Sequence, residues 1–126
     1  MAKEIGKPVT QEEAERLHIL AEESAEIIQI VGKILRFGYE SSNPLKAVGK
    51  IPARSNRSLL EMELGHHLQI KTMMLQAGDM RAHNIILAAE LKHHDIGHWL
   101  RHQDIPEYKG PLENAKGNPK NQNQAK

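Results

Sequence analysis

Residues 10–37 read TQEEAERLHILAEESAEIIQIVGKILRF, and this stretch decides the fold. Thr10 and Glu13 have the spacing of a capping box, in which each side chain satisfies a backbone amide of the other residue. Apolar residues then recur every three or four positions, which is typical of a helix and not of a strand. Gly38 follows as a C-terminal stop, so the pattern predicts one helix to Phe37, roughly 40 Å long.

The remainder of the chain also carries helix signals, separated by turn-forming residues. Residues 39–55 are rich in Ser, Asn, Pro and Gly and predict a long loop. A second helix is expected from Asn56 or Ser58, where Ser58 and Glu61 form another capping-box pattern, to Ala77 and Gly78. Asp79 is then expected to cap a third helix that reaches about His102. We therefore expect an all-α protein with an N-terminal arm (1–9), a helical domain (10–105, with the loop 39–55) and a disordered C-terminal tail (106–126).

Composition excludes several classes of protein. The chain has 126 residues, enough for one domain, and its 17 Lys+Arg nearly balance 16 Asp+Glu, so a strongly basic nucleic-acid binder is not indicated. Cysteine is absent, so a metal site would have to use carboxylates or imidazoles. The first ten residues lack the apolar run of a signal peptide, and the longest apolar run is far too short to cross a bilayer. We expect a cytoplasmic protein without membrane or nucleic-acid partners.

Four polar residues fall among apolar ones when the first two helices are wound at 100° per residue. Glu23 lies inside the apolar arc of the first helix and Glu26 at its edge, while Glu63 and His66 lie within the stripe of the second helix. A carboxylate among apolar groups costs several kcal/mol unless it is paired, protonated or bound to a metal. A shared divalent cation would account for all four residues, and pairing of the glutamates with nearby lysines is the alternative.

The third helix holds two further features. Lys92 falls in the middle of its apolar stripe, where it could reach a phosphate or extend along the surface to water. His94, His98 and His102 recur every four residues and could bind a transition metal, although a solvated histidine row is commoner.

Several segments together resemble a known family. They are LAEESAEIIQ at 20–29, KILRFG at 33–38, NR at 56–57, LEMELG at 60–65 and WLRHQ at 99–103. The sequence is similar to the MazG-like all-α nucleoside triphosphate pyrophosphohydrolases, especially the short single-domain members of bacteria and phages, over about residues 17–102. The EExxE motif of that family is intact, whereas its ExxD motif reads Glu63-Leu-Gly-His66.

The resemblance implies hydrolysis of a nucleoside triphosphate between the α and β phosphates, giving a nucleoside monophosphate and pyrophosphate. The implied cofactor is Mg²⁺, with Mn²⁺ or Co²⁺ as the alternative because His66 stands where the family has Asp and an imidazole is a poorer ligand for Mg²⁺. His66 could also lie outside the direct ligands of the metal. The implied site comprises catalytic glutamates, metal ligands, phosphate-binding cations and base-stacking aromatics. The catalytic glutamates are Glu22, Glu23 and Glu26, and the metal ligands are Glu23, Glu26, Glu63 and His66. The phosphate-binding cations are Lys33, Arg36 and Lys92. The candidates for stacking on the base are Phe37, Tyr39 and Trp99.

Three other functions remain open. The fold could serve as a nucleotide-sensing module with weakened catalysis. Glu63-x-x-His66 is also the pattern of carboxylate-histidine dimetal bundles, and His94-Asp95 resembles the core of HD-domain phosphohydrolases.

A homodimer is the expected assembly. The apolar arc of the first helix, about 160° wide, exceeds the ~100° that one packed face needs. We therefore expect dimerisation to build a four-helix core from the first two helices of each chain, as a homodimer or a dimer of dimers.

Overall fold

The computed structural model of the protein describes residues 6–105 and 107–110. Within these residues the fold is all-α, as predicted, with three helices and no strand: α1 (Gln11–Phe37), α2 (Asn56–Gln76) and α3 (Ala82–Ile96). A short 3-10 helix, Pro44–Lys46, interrupts the loop between α1 and α2. The predicted disorder of the tail concerns residues that are largely outside this description, as are residues 1–5 of the predicted arm. The chain divides into two compact units, Met1–Met80 and Arg81–Lys126.

The predicted bounds of α1 are confirmed. Thr10 is the N-cap: its Oγ1 accepts a hydrogen bond from the Glu13 amide at 3.2 Å, and the Thr10 amide donates to Glu13 Oε1 at 3.1 Å. At the other end Gly38 adopts φ 86°, in the left-handed region that favours glycine, and its amide donates to the Ile34 carbonyl at 2.8 Å.

Helix α2 begins at Asn56, but not with the predicted cap. Ser55 is the N-cap and its hydroxyl accepts from the Ser58 amide at 3.2 Å, so the capping box predicted at Ser58 and Glu61 is wrong. Ser58 already lies in the first turn, where its amide needs an acceptor, and Ser55 stands three residues upstream to supply one.

Packing of α1 against α2 forms the core of the first unit. Ile30 on α1 and both Ile70 and Met74 on α2 are buried. Beyond α2, Arg16 of α1 donates from Nε to Asp79 Oδ2 at 2.6 Å and from Nη2 to Oδ1 at 2.9 Å. This bidentate hydrogen bonding lowers the pKa of the Asp79 carboxyl, although burial opposes it.

Two predictions about α3, which lies in the second unit, are wrong. Its N-cap is Arg81, with no side-chain cap, because the Asp79 carboxylate is engaged by Arg16. The helix ends at Ile96 and not near His102, and the Ile105 side chain lies 2.5 Å from where a Cβ on Gly97 would stand. The chain therefore turns at Gly97 and folds back on itself, which takes His98 and His102 off the helix that carries His94.

Hydrogen bonds between residues 38–41 and residues 56–57 hold the two ends of the loop 39–55 together. We call these two short segments the neck of the loop. The Asn56 amide donates to the Ser41 carbonyl and the Arg57 amide to the Tyr39 carbonyl, both at 2.8 Å. The Asn56 side chain is buried, and its Nδ2 donates to the Gly38 carbonyl at 3.0 Å. The loop tip, residues 43–54, contains the 3-10 helix and a tight turn in which Val48 and Ile51 exchange backbone hydrogen bonds. None of the helices in the described part of the chain has the length and hydropathy for a membrane crossing.

Candidate metal centre

The four polar residues selected by helical winding come together between α1 and α2. Glu23 and Glu26 lie one turn apart on α1, and Glu63 and His66 lie one turn apart on α2. One ligand atom from each residue falls within 4.8 Å of all the others. We call Glu23, Glu26, Glu63 and His66 the ligand cluster. A group of this composition could hold a metal ion.

Two separations in the ligand cluster match those of atoms that share an ion. His66 Nδ1 lies 3.3 Å from Glu23 Oε2 and 3.3 Å from Glu63 Oε2. Ligand atoms about 2.1 Å from a first-row divalent ion are separated by about 3.0 Å in octahedral and about 3.4 Å in tetrahedral geometry. The imidazole nitrogen is therefore separated from two carboxylate oxygens, on different helices, by the distance expected of ligands of one ion.

Two features of the carboxylates favour a cation over a purely structural role. Only 9% of the Glu63 side chain is exposed, and this burial raises the pKa of its carboxyl. Glu26 raises the pKa of Glu63 further through hydrogen bonding and like charge, whereas His66 lowers it. Glu23 Oε2 is buried and, among the described residues, accepts no hydrogen bond. Because a buried carboxylate oxygen without a partner is costly, the donor set fits a divalent ion.

The alternative of pairing with lysines is not seen. In the described ranges, none of the three glutamates of the ligand cluster forms an ion pair with a lysine, and the only ion pairs they form are with His66. Three carboxylates and one imidazole form a mixed O/N donor set, which suits Mn²⁺, Co²⁺ or Zn²⁺ better than a set of oxygens alone would.

A cleft of about 830 Å³ adjoins the ligand cluster, with Glu26 and Glu63 in its wall. The second half of α1, the loop 39–55 and the first half of α2 line it. Polar and charged side chains line much of it. They are, besides the two glutamates, Gln29, Lys33, Ser41, Ser42, Asn43, Lys46, Arg54 and Asn56.

Of the predicted phosphate-binding and base-stacking residues in the first unit, two line the cleft and two do not. Lys33 and Phe37 line it, as expected of a phosphate-binding cation and a stacking ring. Arg36 does not; its guanidinium lies 5.8 Å from the Phe37 ring centroid. Tyr39 is also outside the lining, and the Arg57 guanidinium covers its ring at 4.5 Å.

Three other predicted residues are not members of the ligand cluster. Glu22 is exposed on α1 and is not among the clustered ligands, so its catalytic role stays a prediction. Lys92, on α3, and Trp99, in the turn that follows it, are exposed in the second unit, and their roles also stay predictions.

Sequence reasoning missed the contribution of the loop. Ser41, Lys46 and Arg54 come from a segment predicted only as a loop, and Asn56 is predicted only as a start of the second helix and as part of the NR motif. The signal available was the length of the segment, because loops of this size in small domains are commonly functional. Its course could not be read from the sequence, since it depends on the backbone bonds to the first turn of α2.

The histidines of the second unit do not form a comparable cluster. Across residues 6–105 and 107–110, the ligand cluster is the sole group of three or more potential ligands close enough to share an ion. Neither of the alternative metal sites is therefore assembled among these residues. Those sites are the row His94, His98 and His102, and the pair His94 and Asp95. Comparison of the chain with protein-family models, with curated proteins and with solved structures gave no match.

Proposed function

We propose that this protein is a metal-dependent nucleoside triphosphate pyrophosphohydrolase, which releases a nucleoside monophosphate and pyrophosphate. One observation carries the proposal. Side chains from the EExxE segment and from the Glu63-x-x-His66 segment, which the MazG-like resemblance pairs, lie within 4.8 Å of one another at the wall of a cleft of about 830 Å³. Small-molecule sites commonly have volumes of about 300–1,000 Å³, so a nucleotide fits in size.

The residues of the cleft take complementary roles. Glu23, Glu26, Glu63 and His66 would hold the ion, with Mn²⁺ or Co²⁺ favoured over Mg²⁺ by the imidazole. When bound, a divalent ion supplies neutralisation of phosphate charge and makes water a better nucleophile at neutral pH. Lys33 binds a phosphate from the α1 side, and the exposed Phe37 ring offers a stacking surface for a base.

We further propose that the first unit dimerises through α1. Ile28 is 72% exposed and Leu35 82% exposed, and Val31 between them is also exposed. The three lie at helical spacing on one row of α1, which needs an apolar cover. Pairing of this row with its copy would build the four-helix core, as a homodimer or a dimer of dimers. Light scattering should give twice or four times the chain mass for the wild type, and half that or less for Ile28→Lys/Leu35→Lys.

The decisive experiment is a pyrophosphate-release screen over all NTPs and dNTPs with Mg²⁺, Mn²⁺ and Co²⁺. Wild type should turn over at least one nucleotide, and Glu23→Gln should be inactive with every metal. Glu15→Gln is the matched control, because Glu15 is an exposed glutamate of the same helix outside the ligand cluster.

Other outcomes would redirect the proposal. Wild type and His66→Asp that are both inert with every metal would refute the hydrolase. Tight nucleotide binding in that case would identify the sensing module, and bound iron with an absorption band would identify the dimetal bundle.

A further inference from the structure

The cleft beside the ligand cluster is electrically polarised. Glu26 and Glu63 stand in its wall at the ligand cluster, and three cationic side chains are also among the lining residues: Lys33 from α1, and Lys46 and Arg54 from the loop. In the described residues, none of these three cations forms an ion pair. Unpaired cations facing one cavity favour an anion as its occupant.

The other basic residues near the loop are occupied or face elsewhere. Arg57 donates to Glu40 at 2.6 Å and covers the Tyr39 ring. Lys50, on the same loop tip, does not line the cleft. Arg54 is different, because its only hydrogen bond among the described residues runs from Nη1 to the Met62 sulfur at 3.1 Å. Thioether sulfur is a weak acceptor, so most donors of this guanidinium stay available.

The backbone at this end of α2 is not available for anion binding. The amides of Asn56 and Arg57 donate to loop carbonyls, and the Ser58 amide donates to the Ser55 hydroxyl. The first turn of α2 therefore offers no free amide to an anion in the cleft, and the cationic side chains of the lining are the groups that can bind one. The same bonds fix the neck of the loop, which keeps Lys46 and Arg54 at the cleft.

We propose that Lys46 and Arg54 of the loop tip, together with Lys33, bind the phosphate chain of a nucleoside polyphosphate whose reacting phosphate lies at the ligand cluster. The assignment rests on the proposed function and gives to the loop the role that the resemblance gave to Arg36 and Lys92. Arg54 can bind two phosphate oxygens with its planar fork, and the lysines act as point charges. Ligands with a longer phosphate chain should bind more tightly than those with a single phosphate.

The test measures affinity for the manganese complex of inorganic tripolyphosphate by calorimetry. Lys46→Ala and Arg54→Ala should each weaken binding by about three- to tenfold, and the double variant by more than about tenfold. Lys50→Ala is the matched control, a lysine of the same loop tip outside the cleft, and should stay within about twofold of wild type. Both substituted side chains are exposed, and thermal melts of the variants verify that the fold is kept.

Three calorimetric results would overturn the proposal: no binding by wild type, binding by the double variant within twofold of wild type, or an equal loss in Lys50→Ala. Pyrophosphate release by the same variants separates this proposal from the proposed function. If the calorimetric pattern holds while wild type hydrolyses no nucleotide, the loop assignment stands and the hydrolase fails. If the double variant hydrolyses nucleotides with unchanged KM, the hydrolase stands and the loop assignment fails.

Discussion

Replacing Glu63 by Gln should have opposite effects on stability with and without metal. Glu63 is buried beside Glu26, and their ligand atoms are at most 4.8 Å apart. Two like charges at that separation repel by about 3.5 kcal/mol at an effective dielectric constant of 20 and by about 0.9 kcal/mol at that of water. The lower value is the minimum, because half of the His66 side chain is exposed to water whereas Glu63 itself is buried. Without metal, Glu63→Gln should raise the free energy of unfolding by at least about 1 kcal/mol, or Tm by about 4–8 °C.

With metal the order should reverse. An ion present at 100 times its Kd stabilises the folded state by about 2.7 kcal/mol, which corresponds to roughly 10–20 °C in Tm for a domain of this size. Glu63→Gln lacks one ligand of the cluster and should gain little. The assay is thermal unfolding followed by circular dichroism, in EDTA and in a Mn²⁺ series, at one fixed protein concentration.

The pH dependence gives this prediction a second readout. The folded state raises the pKa of Glu63, so the folded protein binds a proton at Glu63 more tightly than the unfolded chain does. The metal-free wild type therefore loses stability as pH rises from the pKa of Glu63 in the unfolded chain to its higher pKa in the folded protein. The advantage of Glu63→Gln should be full at neutral pH and should close as pH falls towards about 4.3. Glu61→Gln, at an exposed position of the same helix, should follow wild type. Equal stabilisation of both proteins by Mn²⁺, or a less stable Glu63→Gln in EDTA, would refute the reasoning.

Three further predictions concern single residues. His66→Asp should raise the Mg²⁺-supported rate of pyrophosphate release by about tenfold, because an oxygen ligand suits Mg²⁺ better than an imidazole does. Asn56→Ala should lower the free energy of unfolding by about 1–3 kcal/mol in denaturant titrations, since it leaves the Gly38 carbonyl without its donor. Asp79→Asn should lower Tm at neutral pH by removing the charge that Arg16 binds; because the pKa of Asp79 is lowered in the folded state, this deficit should shrink as pH falls below about 4.

Each of these has its own contrary result. For His66→Asp it is an unchanged ratio of Mg²⁺- to Mn²⁺-supported rates. Asn84→Ala, at an exposed position, is the control for Asn56→Ala, and equal losses in the two variants would remove the role of the loop neck. For Asp79→Asn, a deficit as large at pH 3 as at neutral pH would show that the carboxylate charge is not the cause.

The helices and the ligand cluster were accessible from the sequence because they depend on short-range rules. The capping residues around α1 act within one turn, and a spacing of three residues fixes Glu23 and Glu26 on one face of a helix. Glu63 and His66 follow the same rule on α2. The unfavourable position of a carboxylate among apolar residues therefore identified the ligand cluster without tertiary information.

The misplaced cap of α2 was a choice between Ser55 and Ser58, three residues apart, whereas the other errors arose where residues outside the local segment take part. Asp79 has the sequence position of a helix cap, but Arg16, 63 residues away, engages its carboxylate. The end of α3 depends on Ile105 packing at Gly97. The lining of the cleft depends on a loop whose ends are bonded to α2. None of these contacts leaves a periodic pattern in the sequence.

The neck of the loop 39–55 also bears on how this protein can diverge. Its anchoring bonds come mainly from backbone groups, so they persist under most substitutions at the same positions. Residues 43–54 lie beyond those anchors and bury almost nothing. Changes of sequence or length there can therefore alter what the cavity accepts, while the helices that carry the clustered carboxylates retain their packing.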